Sequence, residues 1–244
     1  MDAPAFLAAA ARLPPLGDPA ALGEVLLLAP HPDDESLGCG ALVAALAAAG
    51  HPPLVVAVSD GAASHLGSRR YAGEVLRDLR EGELRAALLA LGCPRPPRFL
   101  RLPDAAVPRR GEGGFADALG RLRSVLAKVS PATLLTTWRH DPHRDHGAAF
   151  DLAAALRAGL RPRPRLLEYP VWGRALSPGT PVGGPPRGFT FAVGPFRAAK
   201  AEAIARHRSQ VADLVDDDPA GFRLPPAMIE AALLGPEVFL EADP

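Results

Sequence analysis

The sequence predicts an α/β domain with a Rossmann-like, mostly parallel β-sheet that carries helices on both faces. Two observations indicate this fold. Short apolar runs of strand length alternate with longer segments whose apolar residues recur at helical spacing. Polar and charged residues follow several of these runs directly, and the loops at the carboxyl ends of parallel strands are where such folds place their sites. We therefore expect a functional site at that rim of the sheet.

The predicted strands are short and mostly apolar, as expected for strands that are buried on both faces. They comprise residues 25–29, 54–58, 98–102, 132–137, about 165–171 and 189–193. The predicted helices carry apolar residues on one face, and several of them end at a glycine. They comprise residues 37–49, 71–91, 115–129, 147–158 and roughly 195–210. This alternation favours a parallel, doubly wound sheet.

The length of the chain and its 48% of hydrophobic residues are sufficient for one domain with a substantial core. We expect that domain to comprise residues 1–244. Within it, residues 1–22 are predicted to form an N-terminal extension with a short helix. Residues 173–244 are predicted to form a C-terminal elaboration that begins with a Gly/Pro-rich loop.

Composition argues against several classes of partner. Basic and acidic residues are balanced at 27 each, so no net charge indicates binding to nucleic acid or to an anionic membrane. The Ala-rich start lacks a basic segment, and its apolar run is too short to span a bilayer. Two cysteines provide no disulfide framework and are typical of a reducing compartment. We therefore expect a cytoplasmic protein without a membrane span.

A histidine and three consecutive acids follow the first predicted strand, in the run His31-Pro32-Asp33-Asp34-Glu35. A proline stands on each side of the histidine, and the fixed φ angle of each proline stiffens this loop. Adjacent carboxylates repel one another unless a cation or a hydrogen-bond network neutralises them. Acids are also favoured at a helix N-terminus, so a solvated turn before the helix is the alternative interpretation.

Four of the seven histidines lie in two strand-end loops, and they are His31, His140, His143 and His146. In a parallel sheet these two loops can face each other. Two imidazoles and one carboxylate with an open position form the ligand set of catalytic zinc, and also that of non-haem Fe(II) oxygenases. A non-catalytic metal-binding protein is a further alternative. Hydrolysis is favoured, because the alternating pattern is unlike an all-β oxygenase barrel and because Asp33, His143 and Asp145 exceed what metal storage needs.

The two loops also carry a family resemblance. The run from His31 to Glu35 with Gly38 and Gly40, together with the run Asp141-Pro142-His143-Arg144-Asp145-His146, resembles the PIG-L/LmbE-like zinc de-N-acetylases. In that family a proline is common where Arg144 stands. Outside the two loops the matches extend the resemblance over about residues 24–210, and they are Asp60, Gly61, Arg80, Glu83, Lys200, His207, Ser209 and Gln210. The family includes the N-acetylglucosaminyl-phosphatidylinositol deacetylase, so the resemblance implies a small-molecule, N-acetylated amino-sugar substrate.

The resemblance also implies roles for the residues of the two loops. His31, Asp34 and His146 would bind Zn²⁺ or another divalent metal, and Asp33 would be the general base. A protonated His143 would be the electrophilic helper, with Asp145 behind its ring to orient it. This assignment agrees with elementary chemistry, because zinc lowers the pKa of a bound water to about 7 and a free carboxylate can accept the remaining proton.

Several further residues have two interpretations. Ser64, His65 and Arg69 follow the Asp60-Gly61 turn and either contact the substrate or form a solvated polar loop. Glu35 either anchors its loop through backbone N–H groups or lines the substrate pocket. Arg80 and Glu83, three residues apart on a predicted helix, are expected to form a structural ion pair. The acylated substrate, the native metal and the oligomeric state, a homo-oligomer included, are left open by the sequence.

Overall fold

The computed structural model describes residues 1–126 and 129–242. The strands are β1 (Val25–Ala29), β2 (Leu54–Ser59), β3 (Arg98–Leu102), β4 (Thr133–Thr137), β5 (Arg165–Tyr169), β6 (Gly188–Phe191) and β7 (Glu237–Glu241). The helices are α1 (Ala3–Ala10), α2 (Asp34–Ala48), α3 (Glu74–Ala90), α4 (Phe115–Val125), α5 (Arg144–Gly159), α6 (Arg197–Arg206), α7 (Arg208–Val211) and α8 (Pro226–Leu234). Residues 127 and 128, at the end of the predicted helix 115–129, lie outside the described residues.

The strands form one mixed sheet in the order β3-β2-β1-β4-β5-β7-β6. Strands β1 to β5 are parallel, and β7 is antiparallel to both β5 and β6. Chain order reverses between β1 and β4, whose register pairs Leu28 with Thr136. The loops that follow these two strands therefore meet at a topological switch point, where open α/β sheets place their ligands.

Side chains of the central strands alternate between two apolar layers, as the period of two in a strand requires. Leu27 of β1 packs in a cluster with residues of α2, α3 and α6. Leu26 and Leu28 pack on the opposite face with residues of α4 and α5. Helices therefore cover both faces of a mostly parallel sheet, which confirms the predicted fold class.

Two helices begin earlier than predicted, and this moves site residues from loops into first helical turns. Helix α2 begins at Asp34 and α5 at Arg144, whereas the sequence predicted residues 37 and 147. Acids are favoured in a first turn because unpaired backbone N–H groups point at them. Asp34 and Asp145 therefore belong to helix N-termini that rest on the ends of β1 and β4.

The C-terminal region differs most from the prediction. Helix α8 and strand β7 were not predicted, and β7 inserts between β5 and β6. The predicted helix over 195–210 is broken at His207, whose φ of −78° and ψ of 56° separate α6 from α7. Within the described residues, no helix combines the length and the apolar character needed to cross a bilayer.

Candidate metal centre and active site

Asp34 lies between His31 and His146, the two histidines with which it was predicted to bind a metal. Its Oδ2 is 3.2 Å from His31 Nδ1, and its Oδ1 is 3.4 Å from His146 Nε2. The backbone N–H of His31 also donates to Asp34 Oδ2, at 2.9 Å. All three side chains are buried. The loop after β1 and the start of α5 thus bring two imidazole nitrogens to the two oxygens of one carboxylate.

The electrostatics of this cluster suit a cation. Although burial alone would lower it, the carboxylates of Asp34 and Asp141 raise the pKa of His146 to about 9. Burial is likewise outweighed at His31, whose pKa is raised well above its usual range by hydrogen bonds to carboxylates. Among the described residues His146 Nε2 makes no hydrogen bond. Surroundings that stabilise a proton on each ring also stabilise a metal ion that replaces those protons. The residues present therefore fit a divalent cation.

Two further donor groups overlap with this cluster. One ring nitrogen from each of His31, His143 and His146 lies within 4.8 Å of the others. One ligand atom from each of His31, Asp104 and Asp145 does as well. Nitrogen and carboxylate oxygen donors of this kind match zinc and other first-row divalent metals.

Carboxylates orient both imidazoles from the side away from Asp34. Asp141 Oδ2 lies 2.9 Å from His146 Nδ1 and also accepts from the backbone N–H groups of residues 171 and 172. His31 Nε2 faces Asp104 Oδ1 at 3.1 Å and Asp145 Oδ2 at 3.3 Å. Such partners fix the tautomer and the orientation of ligating histidines. Sequence reasoning missed Asp104, because a single acid in the loop after β3 gives no local signal.

The predicted position of Asp145 behind the His143 ring is wrong. Its carboxylate contacts His31 instead and accepts from the N–H groups of Ala105 and Val107, at 2.8 and 3.1 Å. These amides belong to the loop after β3, which draws the carboxylate toward the β1 side of the site. What reaches His143 is the backbone of Asp145, whose N–H donates to His143 Nδ1 at 3.2 Å.

His143 is a half-buried N-cap residue of α5. Because its Nδ1 accepts a hydrogen bond, the neutral ring carries its proton on Nε2. Burial and the neighbouring rings of His31 and His146 lower the pKa of His143. The structure therefore favours a neutral ring that donates through Nε2, and not the protonated ring that was predicted.

Asp33 has surroundings quite different from those of its neighbour Asp34. Arg80 Nη2 donates to Asp33 Oδ2 at 3.1 Å. Burial, with the Asp34 charge adding to it and Arg80 opposing it, raises the pKa of Asp33 to about 7. The predicted Arg80–Glu83 ion pair is wrong, because Glu83 instead accepts from the N–H and the hydroxyl of Ser209, at 2.7 and 2.6 Å.

A cavity of about 190 Å³ opens above these groups. Five of the predicted residues line it, and they are His31, Asp33, Asp34, Ser64 and His143. The lining also includes residues that were not predicted to contact substrate, among them Trp172, Gln210, Phe222 and Leu224. A larger cavity of about 460 Å³ lies beyond Trp172, and none of the predicted catalytic or metal-binding residues lines it.

Three residues predicted to contact substrate do not line the smaller cavity. Glu35 is fully buried and bonds to its own loop, in agreement with the anchoring alternative. His65 is buried beneath Ser64, its Nδ1 lying 3.0 Å from the Ser64 hydroxyl. Arg69 is exposed, and its backbone N–H donates to Asp217. His140 packs edge-on against Trp138, outside the metal cluster.

Comparison with known proteins gives a relative and two structures of the same fold. The 1D-myo-inositol 2-acetamido-2-deoxy-alpha-D-glucopyranoside deacetylase of Mycolicibacterium paratuberculosis is 32% identical over 144 residues, which are 50% of this chain and 47% of that protein. The match thus spans about half the length of that relative. The N,N'-diacetylchitobiose deacetylase of Pyrococcus horikoshii superimposes with a TM-score of 0.66 at 20% identity, over 88% of this chain and 82% of the other.

The same fold also occurs with a different reaction. GalB, the 4-carboxy-2-hydroxymuconate hydratase of Pseudomonas putida KT2440, gives a TM-score of 0.65 at 19% identity, over 91% of this chain and 97% of the other. At such identities both structures show the fold alone. The family of GlcNAc-PI de-N-acetylases, PIG-L, matches residues 26–156. That region contains both histidine loops and more than half of the chain, and this protein belongs to the PIG-L family.

Proposed function

We propose that this protein is a metal-dependent hydrolase that removes the N-acetyl group from an amino sugar or its conjugate. The observation that carries the proposal is that the two adjacent aspartates have different surroundings. Asp34 faces two histidines, as a metal ligand would. Asp33 lines the cavity beside Arg80 and has a pKa of about 7. A base of that pKa next to a metal site suits hydrolysis at neutral pH.

His31, Asp34 and His146 would hold the metal, for which Zn²⁺ is the leading candidate. When bound, the ion supplies a water of lowered pKa and polarises the amide carbonyl. Asp104, Asp141 and Asp145 keep the two imidazoles oriented toward it. These outer carboxylates also raise the basicity of the ligating rings.

The chain's own groups then move one proton. Asp33 accepts it from the attacking water as the water oxygen bonds to the acetyl carbon. His143 donates a hydrogen bond through Nε2 to the carbonyl oxygen, where negative charge develops. Asp33 returns the proton to the amide nitrogen, the C–N bond breaks, and acetate and the free amine are released. Arg80 keeps the base at one position through its bond to Asp33 Oδ2.

Two observations support a sugar substrate. The relative of known activity is named for an N-acetylated glucosaminide of inositol. The cavity, at about 190 Å³, is small for a whole conjugate, and its lining combines polar side chains, such as Ser64 and Gln210, with the aromatic side chain of Trp172. Such a mixture suits one sugar ring, which has polar edges and an apolar face.

The alternatives raised by the sequence are less well supported. The parallel sheet covered by helices and the family membership favour hydrolysis over an iron oxygenase. A storage protein would need no carboxylate whose pKa lies near neutrality beside its ligands.

The proposal is tested by measuring acetate release from a panel of N-acetylglucosamine conjugates. The protein is first treated with a chelator and then supplied with Zn²⁺ or another divalent metal. We expect acetate and amine to appear in equal amounts, and only after the metal is restored. Absence of acetate release across the panel with metal bound would refute the deacetylase assignment.

A further inference from the structure

Glu35, the third acid of the loop after β1, turns away from the cavity. Its Oε2 accepts from the backbone N–H of Asp33 at 3.0 Å. Its Oε1 accepts from the Ser36 hydroxyl at 2.5 Å and faces His207 Nε2 at 3.0 Å. Within the described part of the chain no arginine or lysine pairs with it. A fully buried carboxylate is costly unless each oxygen is satisfied, and here three donors satisfy it.

The backbone that Glu35 holds is strained. Asp33 has a φ of 141° and a ψ of −28°, a conformation that residues with a Cβ rarely adopt. Glu35 fixes its N–H, while Arg80 donates to the preceding carbonyl, that of Pro32, at 2.8 Å. The peptide between Pro32 and Asp33 is therefore held at both ends. Strain of this kind persists only where the surroundings over-determine it, and it is concentrated at functional sites.

His207 brings its donor from a distant part of the chain. It lies at the break between α6 and α7. The break is anchored to α3, because Ser209 donates twice to Glu83. A carboxylate only accepts hydrogen bonds, so His207 Nε2 carries the hydrogen that Glu35 receives. An element far along the sequence thus fixes a side chain of the β1–α2 loop.

We propose that Glu35 and His207 form a positioning pair that holds the strained Asp33 peptide, so that the carboxylates of Asp33 and Asp34 point to different partners. The inference rests on the proposed function, in which Asp33 is the base. Without the His207 donor, Glu35 loses one of its three hydrogen bonds and the Asp33 peptide relaxes toward an ordinary φ. A misplacement of about 1 Å can cost about 10²-fold in rate.

The experiment compares His207→Leu with His207→Gln. Leucine removes the donor, whereas glutamine can place an N–H close to the position of histidine Nε2. For His207→Leu we expect kcat to fall by about 10- to 100-fold with KM changed less than about threefold. Metal content stays near that of the wild type, because Asp34 keeps both histidine contacts. His207→Gln restores most of kcat.

Thr133→Val is the matched control for stability. The Thr133 hydroxyl is buried and donates to the Leu22 carbonyl at 2.7 Å, at the end of β4 opposite to the site. This variant should lower the melting temperature by an amount comparable to that of His207→Leu and leave kcat unchanged. If kcat follows melting temperature across all three variants, His207 is merely structural and the proposal is wrong.

A crystal structure of His207→Leu provides the readout that does not depend on activity. We expect the φ of Asp33 to leave the left-handed region. An unchanged φ, or loss of metal together with kcat, overturns the positioning role. If His207→Leu does not fold, Glu35→Gln serves instead, with a smaller loss of kcat and the same backbone shift expected. Absence of acetate release from the wild type would refute the proposed function, and the crystallographic comparison would still decide this inference.

Discussion

Replacing Arg80 with methionine should move the acidic limb of the pH–rate profile to higher pH. The guanidinium, 3.1 Å from Asp33 Oδ2, opposes the burial that raises the pKa of Asp33 to about 7. A positive partner at such a distance lowers a carboxyl pKa by about 1–3 units, so removing it raises the pKa of Asp33 by a similar amount. The base must be ionised to act, and activity is therefore lost at a higher pH than in the wild type.

The size of the effect follows from the ionised fraction. With a pKa of about 7, half of Asp33 is ionised at neutral pH. A rise of one unit leaves roughly one molecule in eleven ionised, which is about a fivefold loss of rate, and a rise of two units costs about 50-fold. Both losses disappear once the pH exceeds the new midpoint. A bound cation lowers the midpoint in both proteins, so the prediction concerns the difference between them.

The assay is kcat/KM for acetate release between about pH 5 and about pH 10, which reports ionisations of the free enzyme. Arg80→Lys is the control, since it keeps the positive charge and should shift the limb less. An unchanged midpoint in Arg80→Met would refute the role of Asp33 as the titrating base. A loss of rate that is equal at every pH would show that Arg80 acts on structure alone.

Two further predictions concern metal affinity and stability. Asp145→Asn replaces the carboxylate that orients His31 with a neutral amide. We expect metal affinity, measured by competition with a chelator, to fall by about 10- to 100-fold. Unchanged affinity would contradict the orienting role. Gly38→Ala should destabilise the fold severely, because a Cβ there would lie 2.2 Å from the Tyr169 ring. Gly82→Ala lies on an open helix face and should instead raise the free energy of unfolding by about 0.5–1 kcal/mol. Chemical denaturation of both variants measures the contrast, and similar stabilities would contradict it.

Local pattern was enough to predict the central sheet and the two metal loops. Strands β1, β2 and β4 are buried at every residue and β5 at all but its first, and strands buried on both faces give mostly apolar runs. The edge strand β3 is partly exposed, and its apolar residues alternate with arginines in part. The loops after β1 and β4 contain the histidines and acids at the rim that a parallel sheet requires. His31, Asp34 and His146 do come together there, because the switch point places their two loops side by side.

Partners that depend on tertiary packing could not be predicted. Arg80 and Glu83 have helical spacing, yet each finds its partner outside α3, Asp33 in one case and Ser209 in the other. Asp104 reaches His31 from a different strand end, and a single acid after a strand gives no local signal. Strand β7 was missed because its apolar run is only three residues long, between Glu237 and Glu241, and because it joins the sheet antiparallel after a long excursion of the chain.

The measurement that tests the central claim most directly is metal content and turnover of Asp33→Asn beside Asp34→Asn. Asparagine keeps the size of each side chain and removes its charge. We expect Asp33→Asn to bind metal near stoichiometrically and to lose about 10²-fold or more in kcat at saturating metal, with little change in KM. Asp34→Asn should lose metal and activity together. Metal loss in Asp33→Asn with retention in Asp34→Asn, or wild-type turnover by Asp33→Asn, would contradict the assigned roles.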